Sequence, residues 1–273
     1  MSIPPGIWYY AGMKVFEFDK GFAIEKDCLP VRIDRKSENA ALCIHGYVSY
    51  PGIYGPLVPA LEQAGFAVSV PRLPGHGTNR QDLLASKAGD WLRVCVDEYI
   101  DLKSRYKNVY IVGQSMGALI ALILARMFSP AGLVLLSPAI LVKNKLLPFT
   151  PFFGLFIKSY PAEFEEKWAR PAQPRLKTEY WNRRWVAPAA ELYKLVRQAR
   201  KYLKHVSAPV YCLMAGKDNS VKPEAGNYIF DRIKSTEKQM KLLENSVHNI
   251  MAGGCYEEAV KLVCGWLQTC SSS

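Results

Sequence analysis

Apolar and polar positions run along the chain in two rhythms. Short apolar runs recur at Asn39–His45, Phe66–Val70, Asn108–Gly113, Gly132–Leu136, Pro209–Ala215 and Gln239–Leu243. Runs apolar at successive positions read as strands covered on both faces. Between them lie stretches with helical spacing: Asp90–Tyr106, with Trp91, Val94 and Tyr99 near one face, the Ala-, Leu- and Ile-rich Ser115–Phe128, then Pro223–Ile233 and a closing Tyr256–Gln268. This alternation predicts an α/β fold, a mostly parallel central sheet flanked by helices. Ahead of it, Lys14–Phe18, Phe22–Glu25 and Pro30–Asp34 read as short strands of an antiparallel edge.

One region breaks the rhythm. From Ser137 to Ala208 no clear strand pattern is visible, prolines recur at 138, 148, 151, 161, 171, 174 and 188, and aromatics are frequent. A structureless loop of that length is uncommon in a compact domain unless it is functional. The expectation is an inserted helical cap over residues 139–207, with 1–138 and 208–273 forming one core. The cap would lie over the carboxyl edge of the sheet, where open α/β sheets bind ligands.

Charge sharpens this division. The chain has 273 residues, ordinary apolar content at 49%, and a net charge of +11. Residues 139–207 hold 14 Lys and Arg against five Glu and no Asp, so most of the excess sits in the cap. A local basic block points to a local partner, such as a lipid surface or an anionic substrate, and not to nucleic acid. The seven cysteines are odd in number and form no Cys-x-x-Cys pair. They read as reduced structural thiols, with neither a disulfide frame nor a metal site. No signal-peptide pattern and no run of about 20 apolar residues is visible, so the expected location is cytoplasmic.

The chemistry centres on Gly113-Gln114-Ser115-Met116-Gly117, between the strand ending at Val112 and the helix from Ala118. A sharp strand-to-helix turn lifts a serine hydroxyl out of the sheet, and the flanking glycines let strand and helix pass closely. Serine needs a base. Of the four histidines only His205 and His248 follow Ser115; His205 lies in a basic helical stretch and reads as a surface residue. His248 follows the last strand and is the expected base. Asp218, after the strand Pro209–Ala215, is the expected acid; its rival Glu244 lies awkwardly close to His248. Two backbone N–H groups would stabilise an oxyanion: Met116 at the helix start, and Tyr47 in His45-Gly46-Tyr47. His45 is expected to brace that loop. No metal or cofactor is called for.

Together with Arg72-x-x-Gly75-His76-Gly77-Thr78, Asp218-x-x-Val221-x-Pro223 and Ser246-x-His248, these motifs resemble bacterial carboxylesterases and monoacylglycerol lipases of the α/β-hydrolase superfamily. The match runs from about Asn39 to the C-terminus, outside much of the cap. The resemblance implies cofactor-free ester hydrolysis through an acyl-enzyme, and a lid over an apolar acyl tunnel. The cap is longer and richer in Trp, Arg and Lys than the family pattern, which leaves the substrate open.

Two cap stretches bear on substrate. Lys145–Pro161 is apolar and aromatic; Phe149, Phe152, Phe153 and Phe156, with Trp185, are candidate walls of an acyl pocket. Trp168, Trp181 and Trp185 lie among Arg170, Arg175, Arg183 and Arg184, a candidate surface for anionic lipid. The leading expectation is a serine-dependent carboxylic-ester hydrolase acting on a small-molecule acyl ester, with a monoacylglycerol as a candidate. A peptidase of the proline iminopeptidase kind, a thioesterase, or a non-catalytic binding protein are the alternatives on the same fold. A peptidase would want cap carboxylates for the substrate amine, from among Glu163, Glu165, Glu166, Glu179 and Glu191.

Overall fold

The computed structural model describes residues 24–154, 156–162 and 177–272. Its centre is a seven-stranded sheet. Strands β1 (Val31–Ile33), β2 (Asn39–Ile44), β3 (Ala67–Val70), β4 (Asn108–Gln114) and β5 (Gly132–Leu136) form one side. A separate two-stranded ribbon follows, β6 (Ser159–Pro161) with β7 (Arg183–Trp185), before β8 (Val210–Lys217) and β9 (Lys238–Val247) complete the sheet. The order is β1-β3-β2-β4-β5-β8-β9; every neighbouring pair is parallel except β1 against β3.

Side-chain alternation divides the core into two layers. In β2, Ala40, Leu42 and Ile44 face the layer holding Trp91, Tyr99 and Leu119, while Ala41 and Cys43 face Tyr54, Leu57 and Phe66. In β4, Val109 and Ile111 take the first side, Tyr110 and Val112 the second. Both faces are therefore apolar, as parallel strands under helices require. Each fully buried Leu, Ile or Phe contributes roughly 1.5–3 kcal/mol. The helix Met116–Met127 is buried at every position from Met116 to Leu124. It is apolar all round because it lies between the sheet and a second helix, Val186–Tyr202. That second helix is amphipathic: Leu192, Leu195, Val196 and Ala199 are buried, whereas Lys194, Arg197 and Lys201 are exposed.

Register sets the site. β2 and β4 pair from Asn39 with Asn108 to Ile44 with Gly113, and the Asn108 side chain donates to Asn39 Oδ1 at 2.9 Å at the start of the ladder. Both strands thus end at the same level, bringing His45-Gly46-Tyr47 beside Ser115.

Several boundaries differ from the sequence expectation. The strand expected at Pro30–Asp34 is present as β1, Ile24 and Glu25 are irregular, and Lys14–Phe18 lies outside the described residues. β9 runs four residues past Leu243, to Val247, which puts His248 directly at its end. It is also largely exposed, as an edge strand can be, where an apolar buried strand was expected. The stretch Pro223–Ile233 holds a shorter helix, Ala225–Phe230. Helices Leu57–Gln63 and Arg80–Ala85 were not anticipated; each is too short to display a period. Residues 139–207 do contain strands, the β6–β7 ribbon, with three residues on each side and Pro161 at one end.

Candidate active site

β4 ends at Gln114 and the helix starts at Met116, so Ser115 must turn the chain alone. It does so with φ 56° and ψ −108°, in the left-handed half of backbone space that costs a serine about 1–3 kcal/mol. The glycines make room. A Cβ at Gly113 would come within 2.6 Å of Ala118 Cα, and one at Gly117 would overlap the Ile44 carbonyl, 2.6 Å from its carbon. The turn is anchored by Ser115 N–H donating to Leu136 O at 2.8 Å.

The turn presents the hydroxyl to a relay. Ser115 Oγ lies 2.9 Å from His248 Nε2, and His248 Nδ1 lies 2.8 Å from Asp218 Oδ2. The second carboxylate oxygen, Oδ1, accepts from Ser220 N–H and Val221 N–H, each at 2.8 Å. Burial raises the Asp218 carboxyl; the His248 hydrogen bond and charge and the two amides outweigh it, holding the carboxyl below its ordinary value. Asp218 is therefore an anion fixed at both oxygens. Glu244 is exposed, and His205 sits on the surface outside this group.

The expected oxyanion donors flank the serine. A Cβ at Gly46 would lie 3.4 Å from Ser115 Cβ and 4.0 Å from its Oγ, so this backbone crosses directly beside the hydroxyl. Neither Tyr47 N–H nor Met116 N–H donates to another described residue. The loop is held by buried groups. His45 Nε2 accepts from Leu73 N–H at 3.2 Å, which leaves Nδ1–H to bond Gly46 O at 3.0 Å. Burial and the neighbouring His76 push His45 down to about 3, so it is a neutral brace. His76, buried against Trp91 with ring centroids 5.3 Å apart, is likewise pushed down to about 4. Tyr54 OH donates to Ile44 O at 2.8 Å just before the loop.

Two positioning contacts escaped the sequence reading. Gln114 Nε2 donates to His248 O at 2.8 Å, so the variable second position of the pentapeptide holds the histidine loop. Lys143 Nζ donates to Asp218 O at 2.6 Å, and Lys143 N–H donates to Ser220 O at 2.8 Å. Neither has a sequence signal of its own, because each pairs with a backbone carbonyl 75 or more positions away.

The candidate acyl-pocket residues divide. Trp185 is buried, and its carbonyl lies 3.5 Å from Tyr47 OH. Phe149, Phe152, Phe153 and Phe156 are exposed, Phe152 and Phe156 at 63% and 74%. Trp181 donates to Val48 O at 3.0 Å, while Arg183 and Arg184 are exposed. Trp168, Arg170 and Arg175 lie outside the described residues, as do Glu163, Glu165 and Glu166.

The family model described as Hydrolase_4, serine aminopeptidase, S33, matches residues 35–253. The chain belongs to that family. The match spans the sheet from β2 through β9, including Ser115, Asp218 and His248. The chain is similar to the thermostable monoacylglycerol lipase of Bacillus sp. (strain H-257), 28% identical over 76% of this chain and 81% of the relative. It is also similar to a carboxylesterase of Bacillus subtilis (strain 168), 23% identical over 78% and 85%. Among solved structures, a chain of the metagenome-derived lipolytic enzymes LipS and LipT superposes with a TM-score of 0.81 at 24% identity, covering 90% of this chain and all of that one. The fold of this S33-family hydrolase is the α/β-hydrolase fold.

Proposed function

We propose that this hydrolase cleaves carboxylic esters through an acyl-enzyme, with Ser115 as nucleophile, His248 as general base and Asp218 as the acid that orients it. The observation that carries the reading is the unbroken relay from Ser115 Oγ through His248 to Asp218, at 2.9 and 2.8 Å. His248 Nε2 takes the hydroxyl proton as Oγ attacks the ester carbonyl. Tyr47 N–H and Met116 N–H receive the developing oxyanion. His248 then protonates the leaving alcohol, and water repeats the cycle on the acyl-enzyme. Asp218 stabilises the imidazolium without taking its proton.

Residues 139–207 act in this reading as a cap over the carboxyl ends of the strands. Three contacts support it: Tyr47 OH with Trp185 O, Trp181 with Val48 O, and Tyr180 OH accepting from Thr78 N–H at 2.8 Å. Buried Trp185 is the cap residue assigned to the acyl side. A monoacylglycerol is the substrate suggested by the Bacillus lipase relative. The reduced cysteines, all seven unpaired, favour a cytoplasmic location. Among the described residues, no helix is long and apolar enough to cross a membrane.

The family description names an aminopeptidase, which would need carboxylates for a substrate amine. The described candidates are committed elsewhere: Glu179 accepts from Arg80 N–H at 2.9 Å, and Glu191 from Ala88 N–H at 3.1 Å. That favours esters. The test sets p-nitrophenyl esters from acetyl to palmitoyl and a monoacylglycerol beside aminoacyl p-nitroanilides. Ester turnover that exceeds anilide turnover supports the reading; efficient cleavage of the anilides alone overturns it.

A further inference from the structure

The outward face of the segment Leu146–Tyr160 carries an unusual concentration of bare apolar surface. Leu146, Phe149, Phe152, Phe156 and Ile157 are each more than 40% exposed. The rings form one cluster, with Phe152 centred 5.8 Å from Phe153 and 5.7 Å from Phe156, and Phe149 6.4 Å from Phe153. Singly exposed apolar residues are ordinary, but a contiguous patch marks an interaction surface.

The scaffold beneath is fixed. Leu147 and Thr150 are buried, Thr150 Oγ1 donates to Leu147 O at 2.7 Å, and Ile157 N–H donates to Phe153 O at 2.8 Å. Val186 N–H donates to Lys158 O at 3.1 Å, tying the patch to the strand that ends in Trp185 and so to Tyr47. The rings are held outward by this frame.

Charge identifies the occupant. Residues 141–162 contain Lys143, Lys145 and Lys158 and no carboxylate. Lys145 and Lys158 are exposed, and the β6–β7 ribbon adds exposed Arg183 and Arg184 beside Ser159 and Tyr160. Aromatic side chains within a basic rim fit the boundary between acyl chains and anionic headgroups. A second copy of this chain fits poorly, since a two-fold pairing would set the same cations against each other.

We infer that this face docks the enzyme on an anionic lipid surface, with Phe152 and Phe156 entering the acyl boundary while Lys145, Lys158, Arg183 and Arg184 meet headgroup phosphates. The role rests on the proposed ester-hydrolase reading only in that docking would deliver acyl esters to the covered site; the docking itself needs no turnover.

Flotation of the full-length Ser115→Ala protein with vesicles tests it. The expected result is co-flotation with vesicles containing phosphatidylglycerol and far less with pure phosphatidylcholine. Phe152→Ser with Phe156→Ser should weaken that binding by about tenfold or more. Lys145→Glu with Lys158→Glu should weaken it on the anionic vesicles alone. The serine-intact Phe152→Ser/Phe156→Ser enzyme should keep its turnover of a soluble short-chain ester, which also reports folding. No wild-type flotation, equal flotation of the ring variant, or a wild-type dimer that the ring variant dissolves would overturn the inference. So would lost soluble-ester turnover with flotation intact, which would put the rings in the acyl pocket. If Ser115→Ala floats as expected while the intact enzyme cleaves no ester, the docking surface stands and the proposed activity falls.

Discussion

The strained φ of Ser115 persists because its neighbours leave the chain no other path. Gly117 shows how little room there is, since any Cβ there meets the Ile44 carbonyl. Gly117→Ala should therefore cost about 2 kcal/mol or more, read as a lowered urea midpoint, because backbone and not a movable side chain is in the way. Acid stability is decided at the same scale. His45 and His76 are neutral in the folded protein well below pH 6.5, whereas both would charge in the unfolded chain. Their contribution is complete above pH 6.5. Below it each withdraws roughly 1.4 kcal/mol per pH unit, down to about pH 4 for His76 and about 3 for His45. Asp218 adds a second, lower loss, since its depressed carboxyl stabilises the fold above its ordinary value and releases that as pH falls through the folded one. Urea titrations between pH 7 and 4 should show the midpoint falling, and His76→Gln should flatten the slope. Asp218→Asn should lower kcat by about 10⁴-fold with little change in KM, because it loosens the imidazole's orientation and leaves the binding surface intact.

Between elements, the decisive join is where β8 and β9 lose register. The ladder runs evenly from Val210 with Lys238 to Ala215 with Leu243, then jumps to Lys217 with Val247. Gly216 sits at the jump, and a Cβ there would come within 2.7 Å of Glu244 Cα. That irregularity sets the acid loop after Lys217 against the histidine at the end of β9. Gly216→Val should push the strands apart and lower kcat by about 100-fold through displacement of Asp218 from His248. Gly254→Ala, whose Cβ meets nothing within 4 Å, should leave turnover as it is and serves as the control. The same join marks the edge of what was legible in the chain. The central strands could be read because they are apolar on both faces, and the pentapeptide because only glycine fits at its ends. The extra four residues of β9 could not, since Glu244-Asn245-Ser246 carries no apolar pattern: Glu244 and Asn245 are exposed and the buried Ser246 is polar. The β6–β7 ribbon escaped for a related reason: three residues are too few to alternate, and its pairing partner lies more than 20 positions away.

At the scale of the molecule, the central strands are apolar on both faces, and the segment between β5 and β8 contains much of the chain's positive charge. Family membership and the α/β-hydrolase fold agree with the sequence reading, while the four phenylalanines expected at the pocket are exposed. Periodicity shows that a ring is apolar; it cannot tell which side of a short, proline-broken helix will be covered. The catalytic core and the surrounding surface are thus separable, and the core makes the sharper claim. The most direct measurement is covalent labelling with a fluorophosphonate, followed by peptide mass spectrometry and run beside the hydrolysis of a p-nitrophenyl ester. The expected result is stoichiometric label on Ser115, loss of ester turnover in step with labelling, and neither label nor turnover in a folded Ser115→Ala protein. A label on another residue, or ester turnover that survives full modification of Ser115, would contradict it.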